Sequence, residues 1–486
     1  MQISFRSMVN TVQYGGWRGL IRPAAAAAAL VLSAAVGYRV TAGIVTLLGV
    51  GLAGLIAYLV ISRHMDWGVL AVVPVTFLVP ILIRTGTAVS INSTILMLIV
   101  LFVIWLLRMF VLEKHLRLVP SPVNAPVLFF IICVTLSLFI GNLPLVGGGQ
   151  QSSIPAQIGG WLLYAFSAGS ILLVGNNIRE VRWLKWFFWI FLALGAVYLM
   201  YCWRYGISGA NWRFFKEGIS GAVFWTMLAA IGFGQALCNR DLAWRWRILA
   251  AAVTVVSLAF GWIRGKEWLA GWLPPVIALY IIVWLHDWRL GLLVTIVGGA
   301  AGINVFPELY AKINSDTQQW STLSRFLTWP IMLEMVKINP IFGLGPTNYH
   351  QYTPLYPLYG YYVFFNSHNN YWDILAQTGL LGMITFLWLV YRIFRLGFSV
   401  LRNAADGFTR SYAITALAVF ASSLASGMMA DWFMPFLYNI GFAGFRTSVM
   451  LWLMLGGLVS IRTIQLNTPA AADTNESLIS SGHGTA

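Results

Sequence analysis

From Ala24 to Ile461 the chain is a succession of apolar runs parted by short polar connections. Each is near the roughly 20 residues that carry a helix across the hydrocarbon of a bilayer. After a short first run at Ala24–Gly37, they fall at 43–62, 67–83, 92–112, 124–144, 157–175, 183–203, 219–238 and 248–263. The series continues at 268–285, 289–306, 374–399, 411–430 and 444–461. The spacing predicts an all-α, polytopic membrane protein with about 12–14 transmembrane helices and one long helical external loop. Charged residues make up 9% of the chain, against about 25% in a soluble domain.

The charges that remain set the topology. The first 22 residues carry Arg6, Arg18 and Arg22 and read as a basic tail holding the first span inside, since a second apolar run follows at once. With the N-terminus inside, the inner connections and tails hold 19 of the 30 Lys and Arg residues, the bias expected of cytoplasmic loops. The net charge of +15 is spread singly between apolar runs. That pattern suits topology signals and contacts with anionic membrane lipids, and with no compact basic face it argues against nucleic acid. Cys133, Cys202 and Cys238 are odd in number and scattered, which argues against disulfides and cysteine metal sites.

This topology divides the chain into four parts. Residues 1–306 are N-terminal transmembrane helices with short external loops, and 307–372 form a long external loop. Residues 373–463 are C-terminal transmembrane helices, and 464–486 form a disordered inner tail rich in Ser, Thr, Ala and Gly. Structureless loops as long as Phe306–Trp372 are uncommon and tend to carry function.

Several external residues are equipped for chemistry. Arg213 and Arg264 lie in short external connections and Arg325 in the long loop. A guanidinium presents a fork of donors that matches phosphate oxygens, so three converging on one site would suit a lipid diphosphate. Taken singly, each could equally bind a headgroup or pair with a neighbour such as Glu217 or Glu267. His350 and His368 are the two histidines of the long loop, and His368 stands in Ser367-His368-Asn369-Asn370-Tyr371 just before the next span. With an ordinary pKa near 6.5, His368 is a candidate general base or hydrogen-bond donor; a structural histidine at a helix start is the plain alternative. Gly343-Leu344-Gly345-Pro346 predicts a tight turn after the helical-looking Leu323–Ile338. No nucleotide fingerprint or external metal-ligand spacing is present, so neither cofactor nor metal is called for, although Glu217, Glu267, Asp373 and Asp431 are possible ligands.

In order along the chain, these residues resemble the bacterial O-antigen ligase/polymerase family of polytopic glycosyltransferases. The likeness rests on Arg264-Gly265, Arg325, Pro340-Ile-Phe-Gly343-Leu-Gly345, His368-Asn369-Asn370-Tyr371 and Gln377-Thr-Gly379-Leu-Leu-Gly382, with Arg213 where the family often has a further external arginine. It spans about Asn211–Gly382. Ile263 stands where the family often has Ser, and the family's Asn-Pro-Asn after the first external arginine is missing.

The resemblance implies a C-type membrane glycosyltransferase fold in the bacterial inner membrane, with its site facing the periplasm. It implies inverting, metal-independent transfer of a glycan from a polyprenyl (undecaprenyl) diphosphate carrier to a glycan, lipid or protein acceptor. Arg264, Arg325 and Arg213 would bind the diphosphate and His368 would orient or deprotonate the acceptor hydroxyl. Gly343, Gly345, Pro346 and Asn369 would shape the loop. An O-antigen or exopolysaccharide polymerase, a lipopolysaccharide ligase and a protein O-oligosaccharyltransferase would all share these residues. The competing class is a lipid-linked oligosaccharide flippase or polysaccharide exporter, which would place charges at the midplane and show repeat symmetry.

Overall fold

The computed structural model describes residues 63–84, 90–143, 151–213, 221–264, 268–313 and 316–467. The expected spans at Ala24–Gly37 and 43–62, the residues Lys216, Glu217, Gly265, Lys266 and Glu267, and the tail from residue 468 lie outside them. Fourteen α-helices account for most of the described chain. They are α1 (Met65–Leu78), α2 (Ser93–Leu107), α3 (Asn124–Ile140), α4 (Ile154–Asn177), α5 (Val181–Arg213), α6 (Ala222–Cys238) and α7 (Trp244–Arg264). They continue as α8 (Leu269–His286), α9 (Trp288–Ile313), α10 (Asp316–Ile338), the single turn α11 (Tyr349–Tyr352), α12 (Asn370–Arg402), α13 (Phe408–Ser426) and α14 (Gly441–Asn467). A short antiparallel pair, β1 (Leu82–Arg84) and β2 (Ser90–Asn92), joins α1 to α2.

Among the described residues seven helices are long and apolar enough to cross a membrane, and α1, α3, α6 and the start of α9 are shorter apolar ones. The chain is an all-α, multi-pass membrane protein. The region between the spans α9 and α12 is helical, as expected, and its helix begins before Leu323. Helix α9 continues through Pro307 to Ile313, and α10 follows almost at once. Met332, Met335 and Val336, at helical spacing, bury one face of α10 against Leu344, Tyr349 and Phe436.

The chain divides into two compact units, Met1–Gly68 with Leu101–Leu116, and Val69–Val100 with Arg117–Ala486. In the described part of the first, Arg108 pairs with Glu113 at 3.1 Å. The second holds the bundle that concerns function. There α4 lies along α14, with Ser460 Oγ donating to Val174 O at 3.2 Å. Helices α6 and α13 are joined by Gln235 Nε2 to Ser411 Oγ at 2.9 Å and Ser411 Oγ to Gly234 O at 2.8 Å. Such bonds satisfy polar groups where lipid offers none.

The helices of this unit share two polar ends. At one, Arg240 pairs with Asp406 at 2.9 Å, Lys185 lies over the Phe408 ring, and Asn176 accepts from Val119 N. At the other, Ser152 N donates to Asn348 Oδ1, Asn369 Nδ2 to Met428 O and Asn370 Nδ2 to Met434 O. Trp268, at the start of α8, meets Trp432 edge to face at 6.0 Å. Helix α7 begins next to Arg240 and ends at Arg264, four residues before Trp268, so Arg264 and His368 lie at the same end.

Within α12 the backbone leaves the helix at Gly379 (φ 65°, ψ −168°), a conformation in effect open only to glycine. The turn 340–345 fits into this break. Leu344 N donates to Ala376 O (2.9 Å) and Gly345 N to Gln377 O (3.0 Å), while Leu380 N donates to Pro340 O (2.8 Å) and Leu381 N to Ile341 O (3.2 Å). Gln377 extends the clasp: its Oε1 accepts from Thr347 N at 2.7 Å, its Nε2 donates to Tyr164 OH at 2.7 Å, and its carbonyl accepts from Ser137 Oγ. The Pro-x-x-Gly-x-Gly and Gln-x-Gly-Leu-x-Gly motifs are thus two halves of one hydrogen-bonded piece.

Candidate active site

The segment entering α12 is shaped by its own polar side chains. Asn369 caps the helix, its side chain accepting from Tyr371 N (2.9 Å) and Trp372 N (3.3 Å). The residue before it, His368, has φ 48°, a left-handed conformation uncommon outside glycine. Ser367 Oγ accepts from Asn369 N at 3.0 Å and lies 2.7 Å from Asp373 Oδ1, which also accepts from Tyr349 OH at 2.6 Å. These bonds hold the strained backbone and fix where the imidazole emerges.

A second carboxylate stands behind the first. Asp431, in the connection from α13 to α14, is only 1% exposed, as is Asp373. Phe436 N donates to its Oδ2 at 3.2 Å and Asn439 Nδ2 to its Oδ1 at 2.8 Å. The same Asn439 nitrogen lies 3.5 Å from His368 Nδ1, so one amide bridges Asp431 and the imidazole. Burial pushes Asp431 above the usual carboxylate range, opposed by these hydrogen bonds and by the positive charge of Arg325. Burial, with the two carboxylates adding to it, holds the Tyr349 phenol protonated far beyond its ordinary value.

Arg325 and His368 come from different elements, α10 and the entry to α12, yet act on the same cluster. Burial lowers the pKa of Arg325, with the charge of Asp431 opposing. Burial first, then repulsion from Arg325, lowers His368 to about 4. The imidazole is therefore neutral at pH 7, the form that can accept a proton, though a weaker base than a free imidazole. His350 is differently employed: it stacks between Phe364 (5.0 Å) and Tyr438 (4.7 Å) with Nδ1 3.1 Å from Phe365 O.

The shift of His368 has a measurable consequence. Diethyl pyrocarbonate attacks neutral imidazole, so its reaction with His368, taken as the difference between wild type and His368→Asn, should persist with falling pH until near 4. In Arg325→Gln the midpoint should rise, while burial keeps it below 6.5. A midpoint at the ordinary value in the wild type would contradict this electrostatic account.

The other expected site residues are placed less closely. Arg264 ends α7 at this end of the bundle, exposed and without a hydrogen bond or ion pair among the described residues. Arg213 is the last residue of α5, beyond a kink at Gly206, and its side chain is outside the described ones. Gly221 and Trp268, where the chain re-enters the described residues, both pack on Trp432, next to Asp431. Gly343 (φ 74°) and Gly345 (φ 95°) form the turn in the α12 break, and Pro346 leads to Asn348, whose Nδ2 donates to Leu344 O. Among the described residues no three His, Cys, Asp or Glu side chains gather as a metal-binding group.

Sequence reasoning had Asp373 and Asp431 only as possible metal ligands and passed over Asn439 and Tyr349. Asp431 carried a signal, being one of 15 acidic residues and standing at the end of an apolar run. Nothing distinguished Asn439.

Residues 218–387 match the family model described as O-antigen ligase, a stretch that runs from the α5–α6 connection into α12. No curated protein matches the chain.

Proposed function

From a chain that resembles the O-antigen ligase/polymerase family over residues 218–387, we propose a membrane glycosyltransferase that moves a glycan from a polyprenyl diphosphate carrier to an acceptor hydroxyl. The supporting observation is a neutral His368, bridged to Asp431 through Asn439 and within reach of the charge of Arg325. The acceptor oxygen bonds to the anomeric carbon as the bond from that carbon to the diphosphate breaks, its electron pair leaving on the carrier. His368 orients the hydroxyl and takes its proton. Arg325, joined by Arg264 and Arg213 from the neighbouring connections, neutralises the charge growing on the diphosphate. A single displacement inverts the anomeric configuration and needs no metal.

The proposed setting is the bacterial inner membrane, with this end of the bundle facing the periplasm and the carrier (undecaprenyl diphosphate) arriving laterally through lipid. Both O-antigen and exopolysaccharide assembly fit such a site, and so does chain polymerisation as well as ligation.

Purified protein in lipid nanodiscs, given a defined lipid-linked glycan and a panel of sugar, lipid-core and peptide acceptors, should release free carrier diphosphate and form one class of glycosylated product. Movement of the carrier across sealed vesicles with no sugar transferred would overturn the proposal in favour of a flippase.

A further inference from the structure

The end of the bundle opposite His368 carries a second arrangement of arginines. Arg392, Arg395, Ser399 and Arg402 follow one another at i, i+3, i+7 and i+10 along α12, which puts them on one stripe of the helix. Arg462 of α14 joins them by donating to Ser399 Oγ. The four arginines line a single cavity of about 170 Å³. None of them forms an ion pair among the described residues, although Arg240 and Arg410 have Asp406 and Arg182 has Glu180. Arg392 Nε is buried there without a hydrogen-bond partner.

A topology signal requires positive charge on this side of the membrane, but not that four guanidiniums converge on one space. Gathered without a carboxylate they repel one another, and an anion among them would reverse the sign of that interaction. What lies beside the cavity narrows the kind of anion. An open groove of about 510 Å³, lined by Tyr391, Phe394, Phe398 and Leu401, shares Arg395 and Arg402 with it. Tyr391 is 55% and Phe398 41% exposed. A free phosphate would use the arginines and leave this groove unused. A phospholipid would use both, its phosphate in the guanidinium forks and its acyl chains along the aromatic wall.

We propose that Arg392, Arg395, Arg402 and Arg462 bind the phosphate headgroup of an anionic phospholipid whose chains lie along the Tyr391–Phe394–Phe398 groove. This site is separate from the one that carries the proposed transfer and does not depend on it.

Native mass spectrometry of the full-length chain in mild detergent tests it, with phosphatidylglycerol, phosphatidylcholine and inorganic phosphate as probes. Phosphatidylglycerol should give a retained adduct and phosphatidylcholine should not. The variant Arg392→Gln/Arg402→Gln/Arg462→Gln should bind phosphatidylglycerol at least about tenfold more weakly, and excess inorganic phosphate should not displace it. Equal retention by wild type and variant, equal retention of both lipids, or displacement by phosphate would each overturn the proposal. If the triple variant fails to insert, Arg392→Gln and Arg462→Gln alone are read the same way: about threefold weaker binding in each supports the site, and unchanged binding overturns it.

Discussion

Replacing His368 with asparagine is expected to lower glycan transfer by about 10²–10⁴-fold, the usual contribution of a positioned general base, in a protein that still folds. Asparagine is the informative substitution because of the backbone. His368 sits at φ 48°, where asparagine is several-fold enriched and alanine is strained. His368→Ala would therefore mix loss of the imidazole with a local distortion, whereas His368→Asn keeps the turn into α12 and removes only the ring. The Ser367, Asn369 and Asp373 bonds that shape this turn do not involve the imidazole. Transfer by His368→Asn within about tenfold of wild type would remove His368 from the chemistry. Arg325→Gln should fall by about 10²–10³-fold through lost stabilisation of the leaving diphosphate.

The second large effect is on folding. Gly379→Ala should destabilise the protein by about 3 kcal/mol or more, from the forbidden backbone conformation together with steric overlap. A Cβ at Gly379 would lie 2.3 Å from Ile341 O, and one at Gly343 would lie 2.5 Å from the Gln377 carbonyl, so the clasp is too close for any side chain on either half. Relief of the overlap requires the turn to leave the break, which exposes the four backbone bonds that join them. The melting temperature of the detergent-purified protein measures this. Gly298→Ala is the matched control: a Cβ there meets nothing within 4 Å, and an exposed helical glycine replaced by alanine gains about 1 kcal/mol. If Gly379→Ala melts with Gly298→Ala, the clasp does not hold the fold together.

Much of the architecture was legible because membrane helices announce themselves by length and composition. Each apolar run that falls within the described residues finds a helix, from 67–83 in α1 to 444–461 in α14. The polar stretch after 306 was harder. Leu323–Ile338 could be read as helical, but the start of α10 at Asp316 and the continuation of α9 through Pro307 could not, since α10 is held by tertiary burial of Met332, Met335 and Val336 rather than by an apolar run. At the site, Arg325 and His368 could be singled out because charged and titratable groups are scarce in such a chain. The coupling of Arg325 to Asp431, and the link from His368 to Asp431 through Asn439, could not, because they depend on packing between elements far apart in sequence. The pairing of the two glycine motifs was equally hidden, since bonds between backbone groups leave no trace in side chains except the glycines that permit them.

That clasp also limits where an anion can find positive charge. A broken membrane helix ordinarily presents a free N-terminus, whose unbonded amides and partial charge serve transporters as an anion site. In α12 the amides of Leu380 and Leu381 and the carbonyls of Ala376 and Gln377 are already bonded to the turn. The interruption therefore lends no helix dipole to a substrate through these groups. In the proposed reaction, compensation for the diphosphate comes from guanidinium side chains, which can be removed one at a time by substitution, and each removal should register separately in transfer.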